Sequence, residues 1–152
     1  MSKNFNIKQI LLIVNDAEKI AYEIFKDRIT LNTWPIYLGT KYARYLKIGI
    51  KVIFYIAGQE EKARNFVASA KIKKIIDKKI IEFDPLKKFS KVICSLEFED
   101  INFFKNEVNI KEHLDNLTFI KTEDKRYFGL YLQGGICRLD EKSFGYILKQ
   151  SN

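Results

Sequence analysis

The stretch Lys51-Val52-Ile53-Phe54-Tyr55-Ile56-Ala57, which Gly58-Gln59 closes, decides the fold class. A nearly continuous run of β-branched, aromatic and aliphatic residues is typical of a central strand that is buried on both faces. Two alternating patterns follow it, and each predicts a further, half-buried strand. In the first pattern Phe66, Ala68, Ala70 and Ile72 alternate with Val67, Ser69, Lys71 and Lys73, and in the second Val92, Cys94, Leu96 and Phe98 alternate with Lys91, Ile93, Ser95 and Glu97.

The residues before the central strand predict a strand, a helix and an irregular segment. The run from Ile7 to Val14 is β-forming, and Asn15 with Glu18 three positions later is typical of a helix start. Apolar residues at helical spacing carry this helix to about Arg28. Trp34-Pro35 then excludes a continuing helix, because proline restricts the residue before it to extended backbone.

The residues after the strands predict two more helices and a short strand. Helical spacing predicts a short helix from Asn109 to Leu117, with His113 on its polar side. The stretch from Ile136 to Leu139 predicts a strand, and Asp140 is a suitable cap for a final helix. Asp84-Pro85 predicts a turn between the second and third strands.

Composition limits the class of protein. The chain has 152 residues, 47% of them hydrophobic, and a formal net charge of +8. We expect one domain over residues 1–152, without a leader peptide or membrane span, in the cytoplasm. Clustered positive charge favours a polyanionic partner, so we expect nucleic acid, although a lysine-rich composition could also serve only to solvate the surface.

Several chemistries find no support in the sequence. It contains neither a phosphate-binding loop nor a Gly-x-Gly-x-x-Gly motif, and its single histidine, His113, cannot build a two-histidine metal site. Cys94 and Cys137 are isolated, and we expect both to be core thiols. We therefore predict no catalytic residues, no metal and no cofactor.

Aromatic and basic residues are interleaved between the first helix and the central strand. This mixture offers stacking faces for unpaired bases and cations for phosphates. The alternative is that a given tyrosine only plugs the core beneath a loop. The residues concerned are Trp34, Tyr37, Tyr42, Tyr45, Lys41, Arg44 and Lys47.

These motifs, in this order, resemble an EVE domain of the PUA-like superfamily, which also contains the YTH readers of methylated adenine. The resemblance runs from about Ile7 to Leu148 and is carried by Trp34-Pro35-Ile36-Tyr37, by residues 47–58, by residues 65–72 and by Gly134-Gly135-Ile136-Cys137-Arg138-Leu139. It implies an α+β fold, in which a curved, mixed β-sheet forms a pseudo-barrel with surrounding helices. Ile50 and Ala68 depart from the family's usual aspartate and glycine, so the pocket is expected to differ in width.

The resemblance also implies a site for a modified or flipped-out base. Trp34 and a tyrosine would sandwich the base, and Ser69 with strand-edge backbone groups would bond its Watson–Crick edge. The implied pocket consists of Trp34, Tyr37, Tyr55, Ala57, Ser69, Tyr131, Gly134 and Gly135. The basic residues expected to bind phosphates are Lys41, Arg44, Lys71, Lys73 and Lys74.

Two other functions remain open at this point. One is a small ASCH-like hydrolase acting on nucleic acid or modified nucleosides, in which Tyr42, Lys41 and Glu60 would do acid–base work. That branch's Gly-x-Lys-x-x-Glu-x-Arg signature is not present in the sequence. The other is an accessory domain that binds a protein through the tyrosine-rich segment.

Overall fold

A computed structural model describes residues 6–17, 19–60, 62–77 and 91–152. The strands are β1 (Gln9–Val14), β2 (Trp34–Tyr37), β3 (Lys51–Ile56), β4 (Asn65–Asp77), β5 (Val92–Asn109) and β6 (Ile136–Arg138). The helices are α1 (Ala21–Leu31) and α2 (Glu141–Ser151). Short 3₁₀ segments span Ala43–Tyr45, Ile110–Glu112, Leu114–Asn116 and Lys125–Leu132. Glu18 and the predicted turn at Asp84-Pro85 lie outside the described residues.

The strands form one six-stranded mixed sheet in the order β2-β5-β4-β3-β1-β6, curled into a half-barrel. β1 and β3 are parallel, and the other neighbouring strands are antiparallel. Register shifts interrupt β3–β4 and β4–β5 pairing, and such bulges bend strands and increase their twist. The predicted central strand is confirmed, because residues 52–56 of β3 are almost completely buried between β1 and β4.

Two apolar clusters lie on opposite faces of this sheet. The inner cluster fills the concave side, where Phe25 of α1 packs against Phe54 of β3 with ring centroids 5.4 Å apart. The outer cluster joins Tyr55 and Phe66 to Ile147 of α2. Successive strand residues point to opposite faces, so adjacent Phe54 and Tyr55 belong to different clusters.

The helices begin and end at recognisable caps. The Asp16 carboxylate accepts a hydrogen bond from the Ala21 amide at 2.8 Å, and α1 ends at Asn32 in the left-handed conformation. The Asn32 side chain then exchanges two hydrogen bonds with the backbone of Phe98, which attaches the helix end to β5. The cap predicted at Asp140 is confirmed, since its carboxylate accepts from the Ser143 amide at 2.7 Å.

Four sequence predictions are wrong. The helix predicted to start at Asn15 begins only at Ala21, and the segment at Trp34-Pro35, predicted to be irregular, pairs with β5 as strand β2. The strand predicted over residues 91–98 continues to Asn109, because β4 is long enough to pair with it along that length. The helix predicted from Asn109 to Leu117 is therefore absent, and two 3₁₀ turns occupy residues 110–116. The Asn109 side chain accepts from the Lys111 amide and starts the first of these turns.

Candidate functional site

A cavity of about 350 Å³ opens where the two edges of the curled sheet approach each other. We call it the first cavity. β2 forms one side, and the Gly134–Gly135 backbone forms the other, attached to β1 by a 2.9 Å hydrogen bond from the Ile13 amide to the Gly135 carbonyl. Its lining residues are Ile13, Val14, Asn15, Asp16, Ala17, Ile24, Arg28, Trp34, Pro35, Ile36, Tyr37, Thr40, Gln133, Gly134 and Gly135.

Trp34 forms the floor of the first cavity. Its side chain is 2% exposed, with ring centroids 5.1 Å from Phe54 and 6.2 Å from Phe98. The Arg28 guanidinium carbon lies 4.8 Å from the Trp34 ring centroid. Because other side chains cover this indole, it is a packed wall and is not free to form one side of a base sandwich.

Arg28 and Tyr37 provide a polar, planar wall above that floor. Burial lowers the pKa of Arg28, while the electrostatic interaction and hydrogen bond with Tyr37 act in the opposite direction. Arginine nevertheless stays charged in proteins, so the wall presents a cation and a phenol. Planar guanidinium and aromatic groups are surfaces on which bases stack.

Asp16 lies at the mouth of the first cavity, where β1 has ended and α1 has not yet begun. One carboxylate oxygen caps α1, which fixes the position of the side chain. Gly58, with φ +108°, approaches so closely that a Cβ atom there would lie 2.6 Å from Asp16 Oδ2. The close approach and the positive φ both favour glycine at this position.

A second cavity, of about 430 Å³, lies at the same end of the sheet and shares Asn15 and Gln133 with the first. It opens on the outer face, because Tyr55 belongs to the outer cluster. Burial raises the pKa of Tyr55, and the nearby charge of Arg64 opposes that shift. The lining residues are Asn15, Tyr55, Ala57, Gly58, Gln59, Arg64, Phe128, Gly129, Leu132 and Gln133.

The sequence matches no protein-family model and no curated protein, but solved structures match almost the whole chain. The N-terminal domain of McrB from Staphylothermus marinus is 13% identical with a TM-score of 0.63, and the match covers 99% of this chain and 98% of that one. The DUF55 domain of human thymocyte nuclear protein 1 is 15% identical with a TM-score of 0.62, over 95% and 98%. The human THYN1 protein in complex with 5-methylcytosine containing DNA is 15% identical with a TM-score of 0.59, over 95% and 97%.

The chain has an EVE-type, PUA-like fold. This confirms the fold that the resemblance implied. The order of the motifs along the chain carried the prediction, although the tryptophan-bearing segment, expected to be a loop, forms strand β2.

This EVE-type fold brings only part of the predicted pocket together. Trp34, Tyr37, Gly134 and Gly135 line the first cavity, whereas Tyr55 and Ala57 line the second. Ser69 lies opposite Ile53 of the outer cluster, so its side chain is on the other face of the sheet from Trp34. Tyr131 packs against the outer cluster and lines neither cavity.

The predicted phosphate-binding residues fall into two groups. Lys41 and Arg44 are exposed in the segment after β2, where Thr40 joins the rim of the first cavity. Lys71 lies opposite Lys51, the first residue of β3, at the other end of that strand from the cavities, and is 4.0 Å from Asp100. Lys73 and Lys74 are exposed on β4, and β5 separates β4 from the cavity wall.

Three cations, which we call the basic rim, lie on the aromatic residues of the segment that follows Thr40, a lining residue of the first cavity: Lys41, Arg44 and Arg138. The Lys41 ammonium is 5.1 Å and the Arg138 guanidinium 6.0 Å from the Tyr42 ring centroid. The Arg44 guanidinium is 4.9 Å from the Tyr45 ring centroid. The rim is therefore an ordered set of cations on aromatic supports.

The two cysteines and the single histidine lie among packed or hydrogen-bonded residues. Cys94 is buried, as expected, but Cys137 is only half-buried; burial raises the pKa of Cys137 to about 11, with Lys41 opposing the shift. His113 Nδ1 lies 2.6 Å from the Tyr146 hydroxyl.

Within the described ranges, no group of three or more His, Cys, Asp or Glu side chains is arranged to hold a metal ion. No helix in those ranges is long and apolar enough to cross a membrane.

Sequence reasoning missed several polar residues of the site. Asn15 was assigned only to the start of a helix and Arg28 only to its end, and Asp16 was not selected. Gln133 and Thr40 were not selected. A usable signal exists for Asn15 and Asp16, because polar residues directly after a buried strand lie at the sheet edge where α/β ligand sites form.

Proposed function

We propose that this chain is a nucleic-acid-binding domain that receives a modified, extruded base in its first cavity. The observation that carries the proposal is the composition of that cavity. Trp34 supports the Arg28 guanidinium, Arg28 and Tyr37 form a stacking wall, and the carboxylate of Asp16 lines the same cavity. An extruded base needs a flat surface on which to stack and groups that bond its Watson–Crick edge.

The two glycines support the same function. The structure around them does not require glycine, because a Cβ atom at Gly134 or Gly135 would have no contact closer than 3.7 Å, and neither residue has a positive φ. Glycine at such positions permits a ligand to approach the backbone closely. The exposed Gly134–Gly135 backbone therefore offers hydrogen-bonding groups to a base edge.

Charge supports a nucleic-acid partner. Lys41 of the basic rim directly follows Thr40, a lining residue of the first cavity, and the chain carries a formal net charge of +8. Cations next to a base-binding cavity can hold the phosphates that flank the extruded nucleotide. Base extrusion costs a few kcal/mol, which such contacts must offset.

The choice of first ligand follows from a structural neighbour. The human THYN1 protein has been crystallised with 5-methylcytosine containing DNA, and its fold covers 95% of this chain. Cytosine also carries an exocyclic amine, which can donate a hydrogen bond to the Asp16 carboxylate. DNA containing 5-methylcytosine is therefore the first probe, and methylated adenine and RNA are the alternatives to compare with it.

The test is fluorescence anisotropy with single- and double-stranded oligonucleotides that differ in one methyl group, at about 50 mM and 200 mM salt. We expect salt-sensitive binding and a preference for one modified base. Tyr37→Ala should reduce that preference about tenfold, because a base loses one stacking partner worth about 1–3 kcal/mol.

The matched control is Tyr127→Ala, which removes an exposed tyrosine that lines neither cavity. We expect it to leave the preference unchanged. Equal affinity for modified and unmodified bases in every oligonucleotide would contradict the proposal. No binding to any oligonucleotide at either salt concentration would also contradict the proposal and would favour a protein partner instead.

We further propose that the domain binds without catalysing a reaction. Lys41, which the hydrolase hypothesis needs as an acid–base group, lies against the Tyr42 ring as part of the basic rim. Incubation of the protein with the modified oligonucleotide and mass spectrometry of the product checks this point. We expect unchanged mass; loss of a base or a strand break would make the domain an enzyme.

A further inference from the structure

Tyr55 supplies a hydroxyl to the wall of the second cavity. The residue as a whole is 2% exposed, and its ring packs against Phe66 with centroids 5.2 Å apart. The hydroxyl is not among the buried, unpartnered polar atoms of the described residues, so it is accessible from the cavity. A phenol hydroxyl at an accessible cavity wall can donate a hydrogen bond to a ligand.

Arg64 stands beside that hydroxyl and is held firmly. Its backbone has φ 66°, its amide donates to the Ile56 carbonyl, and its carbonyl accepts from the Ile110 amide at 2.9 Å. The guanidinium bonds the Gly58 carbonyl and the Gln59 side chain, both uncharged. None of the carboxylates in the described ranges forms an ion pair with Arg64, which lines the second cavity.

We propose that the second cavity binds a backbone phosphate of the same nucleic acid whose base enters the first cavity. This inference rests on the proposed function. A guanidinium and a hydroxyl that both donate into one cavity match the acceptor oxygens of a phosphodiester. The amides of Gln59 and Gln133 add further donors on the same wall.

The placement of the two cavities fits one continuous ligand. Asn15 and Gln133 form part of both walls, so a strand could pass from one cavity to the other without leaving the protein surface. A phosphate held on the outer face would fix the backbone while the attached nucleotide turns into the inner face. Phosphate contacts of this kind set register and orientation, and the base contact sets specificity.

The test uses oligonucleotides in which one phosphate near the modified base at a time is replaced by an uncharged methylphosphonate. At one linkage we expect wild-type affinity to fall about tenfold, the effect of one charge-assisted hydrogen bond. Arg64→Gln should lose about tenfold on the all-phosphate strand, lower the salt slope by about 1 and become insensitive to that substitution. The preference for the modified base should remain.

Tyr55→Phe and Lys149→Gln complete the design. Tyr55→Phe removes only the hydroxyl, keeps the packed ring, and should lose about fivefold affinity. Lys149→Gln removes an exposed charge on α2 that lines neither cavity, and should stay fully sensitive to the methylphosphonate.

The outcomes separate this inference from the proposed function. If wild type prefers the modified base and Arg64→Gln remains as sensitive to every methylphosphonate as wild type, the phosphate site is wrong and the base reader stands. If wild type binds no oligonucleotide, both are wrong. If Arg64→Gln fails to fold, loss of methylphosphonate sensitivity in Tyr55→Phe supports the site, and unchanged sensitivity overturns it.

Discussion

The two cavities lie at the same end of one sheet and share part of a wall, yet their chemistry differs. The first lies on the inner face, over a floor of packed aromatic rings, and combines a cation, a phenol and a carboxylate. The second lies on the outer face and is lined by the Arg64 guanidinium and the Tyr55 hydroxyl. Phe54 and Tyr55 are consecutive residues of β3, so a single strand supports the proposed base site on one face and the proposed phosphate site on the other.

Removal of Phe54, the central ring of the aromatic cluster beneath the first cavity, should have the largest effect. Phe54 is 0% exposed and contacts Phe25, Trp34 and Phe98. Phe54→Ala should lower the free energy of unfolding by about 3–5 kcal/mol, because it removes one buried aromatic ring and leaves a cavity among its neighbours. Urea unfolding measures the loss, and a loss below about 1 kcal/mol would mean that this cluster is not the packed core described here.

A milder pair of variants separates the two faces. Phe66 is also 0% exposed but packs against Tyr55 on the outer face. Phe54→Leu should reduce the preference for the modified base, whereas Phe66→Leu should reduce the sensitivity to the methylphosphonate. Identical effects of both variants on both readouts would show that the cavities do not work independently.

The sequence predicted the framework well because its signals are local and strong. β3 is recognisable as a buried run, and Asp140 as a cap, from the residues themselves. The length of β5 was underestimated because the charged residues from Glu99 to Glu107 obscure the alternation. They can continue the strand because the long partner β4 supplies backbone hydrogen bonds whatever side chains β5 carries.

The site was less predictable because it depends on strand parity and on distant contacts. A register shift between Phe66 and Ala68 puts Phe66 on the outer face and Val67 with Ala68 on the inner one, which simple alternation misses. Period-two alternation in β3 does separate Tyr55 from Phe54, and therefore from Trp34. The contact of Gly135 with β1 joins residues more than a hundred positions apart and had no signal except the family resemblance.

The Asp16 carboxylate, which lines the first cavity, provides a further test of the difference between the two cavities. Asp16→Asn keeps an oxygen to cap α1 but removes the negative charge. Wild type should prefer 5-methylcytosine to thymine, which has the same methyl group but no exocyclic amine. The variant should lose this preference about tenfold, because an amide accepts from an amine less well than a carboxylate does.

Anisotropy with single strands that differ only in that base measures the Asp16→Asn effect. Binding of the strand that carries thymine should become slightly tighter, while binding of the 5-methylcytosine strand weakens, because a negative charge near the phosphates has been removed together with the acceptor for the amine. The two changes have opposite signs, so general damage to the site cannot imitate them. A variant that kept the full preference for 5-methylcytosine would remove Asp16 from base recognition.

Asp140, the carboxylate that caps α2, gives the smallest expected effect and serves as a control for both cavities. Burial tends to raise the pKa of Asp140, but hydrogen bonds from Ser143 and Thr118, with the charge of Lys121, outweigh it and lower that pKa. A carboxyl whose pKa is lowered on folding stabilises the protein above its unfolded pKa, and this stabilisation is lost as pH falls through the folded value. Asp140→Ala should therefore cost about 1 kcal/mol near neutral pH.

Below the ordinary aspartate pKa of about 4, the stability difference between wild type and Asp140→Ala should shrink as the native carboxylate becomes protonated. Urea unfolding between about pH 3 and pH 7 follows this trend. The variant should keep both the preference for the modified base and the sensitivity to the methylphosphonate, because Asp140 caps α2 and lines neither cavity. If this loss of stability altered either readout, changes in the cavity variants could no longer be assigned to their own contacts with the ligand.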